Sequence, residues 1–288
     1  MPLKMIVLIK QVPDTHHVTG DTMKSDGTVN RLALPAIVNP EDLNALEEAL
    51  KIKETTGGKI TVITMGPPKA VDALKECLYR GADDVILVSD RRFAAADTLA
   101  TSYALKCAIE TVGDYDLILC GRQAIDGDTA QVGPQTAEKL GINQFTCVSE
   151  IISLDQSNIT VRRMTDDGYE IVRSCLPILL TIVAEANEPR SPGAKRVMAF
   201  KNIASRKNIS YDEAYLNFQP SELNGFIKEW NVEDINADPQ QCGLSGSPTK
   251  VKKIQNIILT VEDTKIIPNT EIGINNLVKE LIDDHIIG

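Results

Sequence analysis

The sequence predicts an α/β protein with a mostly parallel sheet and helices on both faces, and three observations predict it. Short runs rich in Val and Ile recur at residues 4–10 (KMIVLIK), 59–64 (KITVIT), 84–88 (DVILV) and 115–120 (YDLILC). Continuous apolar runs of this length mark parallel strands covered on both faces. Segments with helical spacing separate them, which gives βαβ units with right-handed crossovers. The composition, 43% hydrophobic and 24% charged over 288 residues, is that of a globular chain that buries a sizeable core without disulfide or metal staples.

The first helix starts at Asn39-Pro40-Glu41-Asp42. This pattern reads as a side-chain cap, a proline whose missing N–H is harmless, and two acids at the positive end of the helix dipole. Leu43, Leu46, Ala49 and Leu50 mark its apolar face. A second helix begins near Pro68, carries Val71, Leu74 and Leu78, and stops at Gly81, a residue suited to a left-handed cap. A third runs from about Asp97-Thr98 to Gly113. Together these define a Rossmann-like arrangement.

After residue 142 the rhythm changes. The segments 145–154, 158–164, 169–174 and 178–184 have no long helix between them, and Asp166-Asp167-Gly168 is a hairpin signal. Antiparallel strands are expected to join the sheet there. From Asn187 the chain reads NEPRSPGAKR, and 205–250 is polar with Pro220, Pro239 and Pro248. The expected organisation is therefore a compact α/β domain over 1–190, followed within 191–288 by a loop, an extended arm and a C-terminal helix. The last stretch, about 271–285, suits an amphipathic helix through Ile274, Leu277, Val278, Leu281 and Ile282, and is expected to dock on another chain.

The charge balance excludes some classes. With 30 basic and 40 acidic side chains the net charge is −10, so no global field attracts nucleic acid or an anionic membrane surface. The six cysteines form no CxxC pair, which argues against zinc ribbons, iron–sulfur clusters and thioredoxin-type sites. No leader pattern or spanning apolar stretch is present, and a cytoplasmic location is expected. Adjacent His16 and His17 read as a solvated loop. The GGK at Gly57–Lys59 precedes a strand instead of opening a helix, so it is not a Walker loop. No GxGxxG follows the first strand, which disfavours an ordinary dinucleotide-binding dehydrogenase. With three histidines, no Ser-His-Asp or Cys-His set is visible, and no catalytic side chain is assigned.

In an open α/β sheet, ligands bind at the carboxyl ends of strands where the strand order reverses. Segments emerge there after the first strand (10–14), the second (64–68) and the fourth (121–133). The last, GRQAIDGDTAQVG, leads into a helix beginning close to Pro134. Its Gly and Ala residues allow backbone N–H groups to approach a phosphate, and Gln123, Asp126, Asp128, Thr129 and Gln131 are placed to read ribose hydroxyls and ring edges. An equal reading is that Asp126 and Asp128 organise the turn or cap the helix.

The segment Val161–Thr181, VRRMTDDGYEIVRSCLPILLT, resembles the signature of electron-transfer flavoprotein β subunits. IKQVPDT, VNPEDLNALEEAL, MGP, GRQAIDGDTAQVG and ANEPR are also similar to family segments in order, so the resemblance covers about residues 1–200. It implies a subunit that pairs with a larger α subunit and binds an adenine nucleotide, FAD in electron-bifurcating members and AMP in simple carriers. The residues implied to hold it are Leu8, Asn39, Pro40, Glu41, Asp42, Met65, Gly66 and Thr98. To these the resemblance adds the loop Gly121, Arg122, Gln123, Ala124, Ile125, Asp126, Gly127, Asp128, Thr129, Ala130, Gln131 and Val132. It also implies nucleotide binding for 1–190 and partner recognition for the loop that opens 191–288, with the C-terminal helix packing on the α subunit.

The run Asp126–Pro134 and the helix start Ala95–Ala100 look like the bifurcating branch. That branch implies NADH as donor, ferredoxin or flavodoxin as one acceptor, and an acyl-CoA or lactate-type dehydrogenase as partner through the α-subunit FAD. The chain departs from the family at Ala194-Lys195-Arg196, where a Leu-Pro pair is common, and at Arg122, where Lys is common. A regulatory nucleotide-binding module of universal-stress type has a similar sheet and loop, without the partner.

Overall fold

A computed structural model describes residues 2–14, 35–203, 226–249 and 266–283. The expectations for His16 and His17, and those parts of the expected arm and terminal helix that fall at 205–225, 250 and 284–285, lie outside the described residues.

Five strands form the parallel centre: β1 (Leu3–Ile9), β4 (Gly58–Met65), β5 (Asp84–Val88), β6 (Leu117–Gly121) and β10 (Ile178–Ile182). A short ribbon of β2 (Gln11–Pro13) and β3 (Ala36–Val38) follows β1. With β7 (Asn143–Leu154), β8 (Asn158–Thr165), β9 (Gly168–Cys175) and β11 (Ile227–Trp230), the main sheet runs β11-β5-β4-β1-β6-β10-β7-β8-β9.

The alternation along β1 decides which face each helix covers. Leu3, Met5, Val7 and Ile9 pack with α1 (Pro40–Thr56) and α2 (Val71–Arg80). Ile6 and Leu8 pack on the other face with α3 (Thr98–Val112) and α4 (Val132–Leu140). Burial of these Val, Leu and Ile side chains stabilises each by about 1.5–3 kcal/mol relative to exposure.

The insertion after α4 is more parallel than its hairpin pattern announced. β10 pairs parallel to both β6 and β7, and only the β7–β8 and β8–β9 ladders are antiparallel. The hairpin at Asp166-Asp167 closes with Thr165 opposite Gly168. The β10 run, ILLTI, is apolar except at Thr181, whose hydroxyl accepts from the Cys147 amide at 3.0 Å, and all five of its residues are buried because helices cover both its faces.

Within the stretch expected as an arm, residues 226–249 return to the sheet edge. β11 adds parallel to β5 with Ile227 opposite Val85 and Trp230 opposite Val88. Val232, Ile235 and Cys242 then pack into the face carrying α3. Further along lie α5 (Ala194–Phe200) and α6 (Glu271–Asp283). On α6, Ile272, Ile274, Val278 and Ile282 are exposed. Among the described residues no helix is long and apolar enough to cross a membrane.

Candidate nucleotide site

The sheet opens between its two central strands. The β1–β6 ladder pairs Met5 with Leu117, Ile6 with Ile118 and Val7 with Leu119, and ends there. β1 continues with β4 as far as Ile9 opposite Thr64, and β6 continues with β10 as far as Gly121 opposite Ile182. Strand order reverses at this point, since β4 and β5 lie on one side of β1 and β6 on the other.

The first turn of α1 fills the split. The Lys10 amide donates to Asp42 Oδ2 at 2.8 Å, and the Gly121 amide donates to Asp42 Oδ1 at 2.9 Å. Beside it the Gln123 amide donates to Glu41 Oε2 at 2.9 Å, and Arg122 pairs with Glu41 at 3.0 Å. Asn39 corrects the expectation of a cap: its side chain makes no capping hydrogen bond. Instead Nδ2 donates to the Gln123 carbonyl at 2.8 Å, and Oδ1 accepts from the Ile125 amide at 3.0 Å. Position 121 must be glycine, because a Cβ there would lie 2.5 Å from Asp42 Oδ1 and 2.7 Å from the Glu41 carbonyl carbon.

Burial pushes the Asp42 carboxyl up to about 7, against the Lys10 and Gly121 amides and the Asn39 side chain, which pull it down; Glu41 pushes it further up. Burial also raises the Cys120 thiol, with the Asp42 and Glu41 charges adding to the effect, so it is neutral and inert.

Above this base lies a cavity of about 1240 Å³. Of the residues singled out from sequence, Leu8, Asp42, Met65, Gly66 and Thr98 line it. So do Gly121, Arg122, Gln123 and Ala124, and the run Gly127, Asp128, Thr129, Ala130, Gln131 and Val132. Asn39, Pro40, Glu41, Ile125 and Asp126 do not. Ile125 faces Asn39, and Asp126 accepts from Lys10 Nζ at 2.7 Å.

Two helix N-termini, those of α3 and α4, border the cavity side by side. Asp97 caps α3, accepting from the Leu99 and Ala100 amides at 3.0 Å. α4 begins at Val132, earlier than Pro134, and Gln131 gives it no side-chain cap. Pro134 brings no N–H and the Gln135 amide donates to the Gln131 carbonyl, so the Val132 and Gly133 N–H groups, with no partner within the helix or from that cap, carry the positive end of the dipole. Asp128 and Ala130, at φ 48° and 53°, turn the loop through the left-handed region, a cost of roughly 1–2 kcal/mol each that concentrates at binding loops. Gly133 lets α4 sit on the sheet, since a Cβ would come within 2.9 Å of Cys120 Sγ.

Sequence reasoning missed part of the wall. Ser89, Asp90 and Arg91 follow β5, and the strand-end rule applied to the third apolar run would have found them. Ala94, Ala95 and Ala96 form a small-residue wall, with Ala95 at φ 58°. Glu229 and Thr249 come from the returning segment, which nothing in its composition announced. That segment is fastened at Asp97, whose Oδ2 accepts from the Thr249 hydroxyl at 2.8 Å, and at Arg92, which bridges Asp90 and Glu233 at 2.6 Å.

The donor set fits a nucleotide diphosphate. Lys10, Arg91 and Arg122 line the cavity along with Asp42, Asp90, Asp97, Asp128 and Glu229. Net charge therefore does not favour an anion, and the groups able to receive one are the amides of the 127–132 loop and the α4 N-terminus. Among the described residues no cluster of three or more His, Cys, Asp or Glu side chains is arranged to hold a metal.

A family model described as "Electron transfer flavoprotein domain" matches residues 26–206. The chain is 42% identical to "Electron transfer flavoprotein subunit beta" of Thermoanaerobacterium thermosaccharolyticum, over 99% of this chain and 100% of the relative. It is 45% identical to "Caffeyl-CoA reductase-Etf complex subunit CarD" of Acetobacterium woodii, over 86% of each. To "Protein FixA" of Rhizobium meliloti it is 40% identical, over 88% of this chain and 80% of the relative.

Proposed function

This chain belongs to the electron transfer flavoprotein family as a β subunit, and on that premise we propose that it holds FAD in the crevice between β1 and β6 and works as the bifurcating half of a heterodimer. The observation that carries this reading is the size and shape of the cavity. Its 1240 Å³ exceeds the roughly 300–1,000 Å³ of ordinary small-ligand pockets, and it extends from the 127–132 loop to the small wall at Ala94–Ala96. A mononucleotide would leave much of that volume unfilled.

In this reading the 127–132 amides and the α4 N-terminus hold the diphosphate, with Arg122 and Lys10 beside it. Leu8, Met65 and Gly66 floor the adenosine side, and Ala95, Ala96 and Thr98 border the ring system. When bound, a flavin would supply the redox chemistry, two-electron exchange with NADH and one-electron transfer onward. The chain's residues bind and orient it and exclude water.

The acceptors in this reading would be ferredoxin or flavodoxin and, by way of the α subunit, a dehydrogenase. Similarity to a subunit named for a caffeyl-CoA reductase complex supports a partner of the acyl-CoA type. Within 191–288, the stretch around α5 and the exposed apolar residues of α6 are the parts assigned to contacts with the α subunit and the dehydrogenase.

Cofactor analysis of the purified heterodimer tests the proposal. Two FAD and no AMP per pair is the expected result. One FAD with one AMP would make the chain a simple carrier subunit and remove the bifurcating role.

A further inference from the structure

We propose that Asp42 is a positioning residue: by receiving the Lys10 amide on one oxygen and the Gly121 amide on the other, it sets the spacing of the two strand ends across which the nucleotide lies. The inference rests on the reading of this crevice as a nucleotide site, but not on which adenine nucleotide occupies it.

The geometry is that of a replaced ladder. β1 and β6 stop pairing at Val7 and Leu119, and the gap beyond is bridged by one side chain on α1. Both carboxylate oxygens are committed to backbone, and Asp42 is 6% exposed. It therefore acts on a ligand through Leu8–Lys10 and Gly121–Gln123. The contact with Gly121 is close enough to forbid a Cβ, so the α1 turn and the β6 end move as one unit.

Only the ionised carboxylate accepts fully on both oxygens, because a protonated one keeps a donor on one of them. Burial brings this carboxyl up to about 7, where the two forms exchange. The groups facing it are Glu41 on its own helix, which raises it, and the thiols of Cys77 on α2 and Cys120 on β6. Burial keeps both thiols protonated. Lys10 Nζ, at the β1 end, is engaged by Asp126, and Arg122, beyond the β6 end, by Glu41.

The test uses the full heterodimer, stripped of nucleotide, with wild-type and Asp42→Asn chains. Affinities for FAD and for AMP are measured by calorimetry from pH 5.5 to 8.5. Taking the ratio of variant to wild-type Kd for one ligand cancels that ligand's own titration. The expected ratio is about tenfold at pH 8.5, the gap between a charge-assisted and a neutral hydrogen bond, falling to below about twofold at pH 5.5, where the wild-type side chain also carries a donor. A ratio independent of pH would reduce Asp42 to a general stability role and overturn the proposal. A wild-type affinity that rises on acidification would mean that the carboxylate repels the ligand directly, and would also overturn it.

Should Asp42→Asn not fold, the wild-type FAD curve alone decides, because the FAD diphosphate diester lacks the second phosphate ionisation near 6. About a tenfold loss between pH 8.5 and 5.5 is expected, and a flat curve refutes the role. If AMP shows the pH-dependent ratio and FAD does not bind, the FAD reading fails while this inference stands.

Discussion

Thr98 and Gln131 meet across the mouth of the cavity, with Thr98 Oγ1 2.9 Å from Gln131 Oε1. The hydroxyl donates and the amide oxygen accepts, and the pair ties the N-terminus of α3 to that of α4. These two helix ends come from distant parts of the chain, after β5 and after β6, and their separation fixes the width of the opening. Replacing Thr98 by Val keeps the shape and removes the donor. A single exposed hydrogen bond is worth about 0.5–1.5 kcal/mol, so urea unfolding of the free heterodimer is expected to show a loss of that size, and FAD affinity, read by fluorescence titration, is expected to fall as the opening loses its tie.

Gly121→Ala is expected to affect stability first. The new methyl meets backbone of Glu41 and Asp42 as well as Asp42 Oδ1 at 2.5 Å, so no flexible side chain can swing aside. Overpacking of this kind costs about 1–3 kcal/mol or more, readable in urea unfolding. Gly127→Ala, where nothing lies within 4 Å of the added Cβ, should leave stability within about 0.5 kcal/mol of wild type.

Arg190 anchors the Asn187–Arg190 turn to α1. Its Nε and Nη2 reach Glu47 Oε2 and Oε1 at 2.8 and 2.9 Å, and the Glu47 side chain is only 8% exposed. Arg190→Ala leaves that buried carboxylate with only the residue-190 amide, which donates to Oε2 at 3.1 Å, and removes its charge partner. The loss is expected to approach, from below, the roughly 3–5 kcal/mol of broken buried pairs. Arg190→Lys cannot restore the two-pronged contact and is expected to recover only part of it. Chemical denaturation of the three proteins orders them.

The pH dependence of stability carries Asp42's signature. Its folded-state value of about 7 lies above the 3.8 of an ordinary aspartate. Between about pH 4 and pH 7 the folded chain keeps a proton that the unfolded chain has released. The contribution is thus fully present below pH 4 and is lost as pH rises through 7. The gap of about three pH units corresponds to an upper bound on the order of 4 kcal/mol. Measured by urea unfolding, the stability difference between wild type and Asp42→Asn should shift in favour of wild type as pH falls from 8 to 5. A difference independent of pH would contradict the assignment.

The elements that local chemistry specifies were legible in the sequence. The four Val- and Ile-rich runs became β1, β4, β5 and β6 because burial on both faces leaves them no polar alternation. Asp97 and Gly81 marked helix ends through capping chemistry that acts within a few residues. Long-range demands hid the rest. Asn39 has the composition of a cap, yet the β6 loop claims both ends of its amide, a tertiary contact across 84 residues. β11 is four residues long with Lys228 and Glu229 inside it, too short and too polar to show a strand period. The left-handed Asp128 and Ala130 carry no glycine to announce them. The cavity's far wall was hidden for the same reason, since Glu229 and Thr249 reach it only after the chain returns to the sheet edge.

Hydrogen–deuterium exchange on the heterodimer, with and without FAD, reads the central claim most directly, because it reports the amides themselves. Slowed exchange concentrated in residues 122–133 and at the start of α3 is the predicted result. Unchanged exchange there, with protection appearing elsewhere in the chain or in the α subunit alone, would contradict a nucleotide seated between β1 and β6.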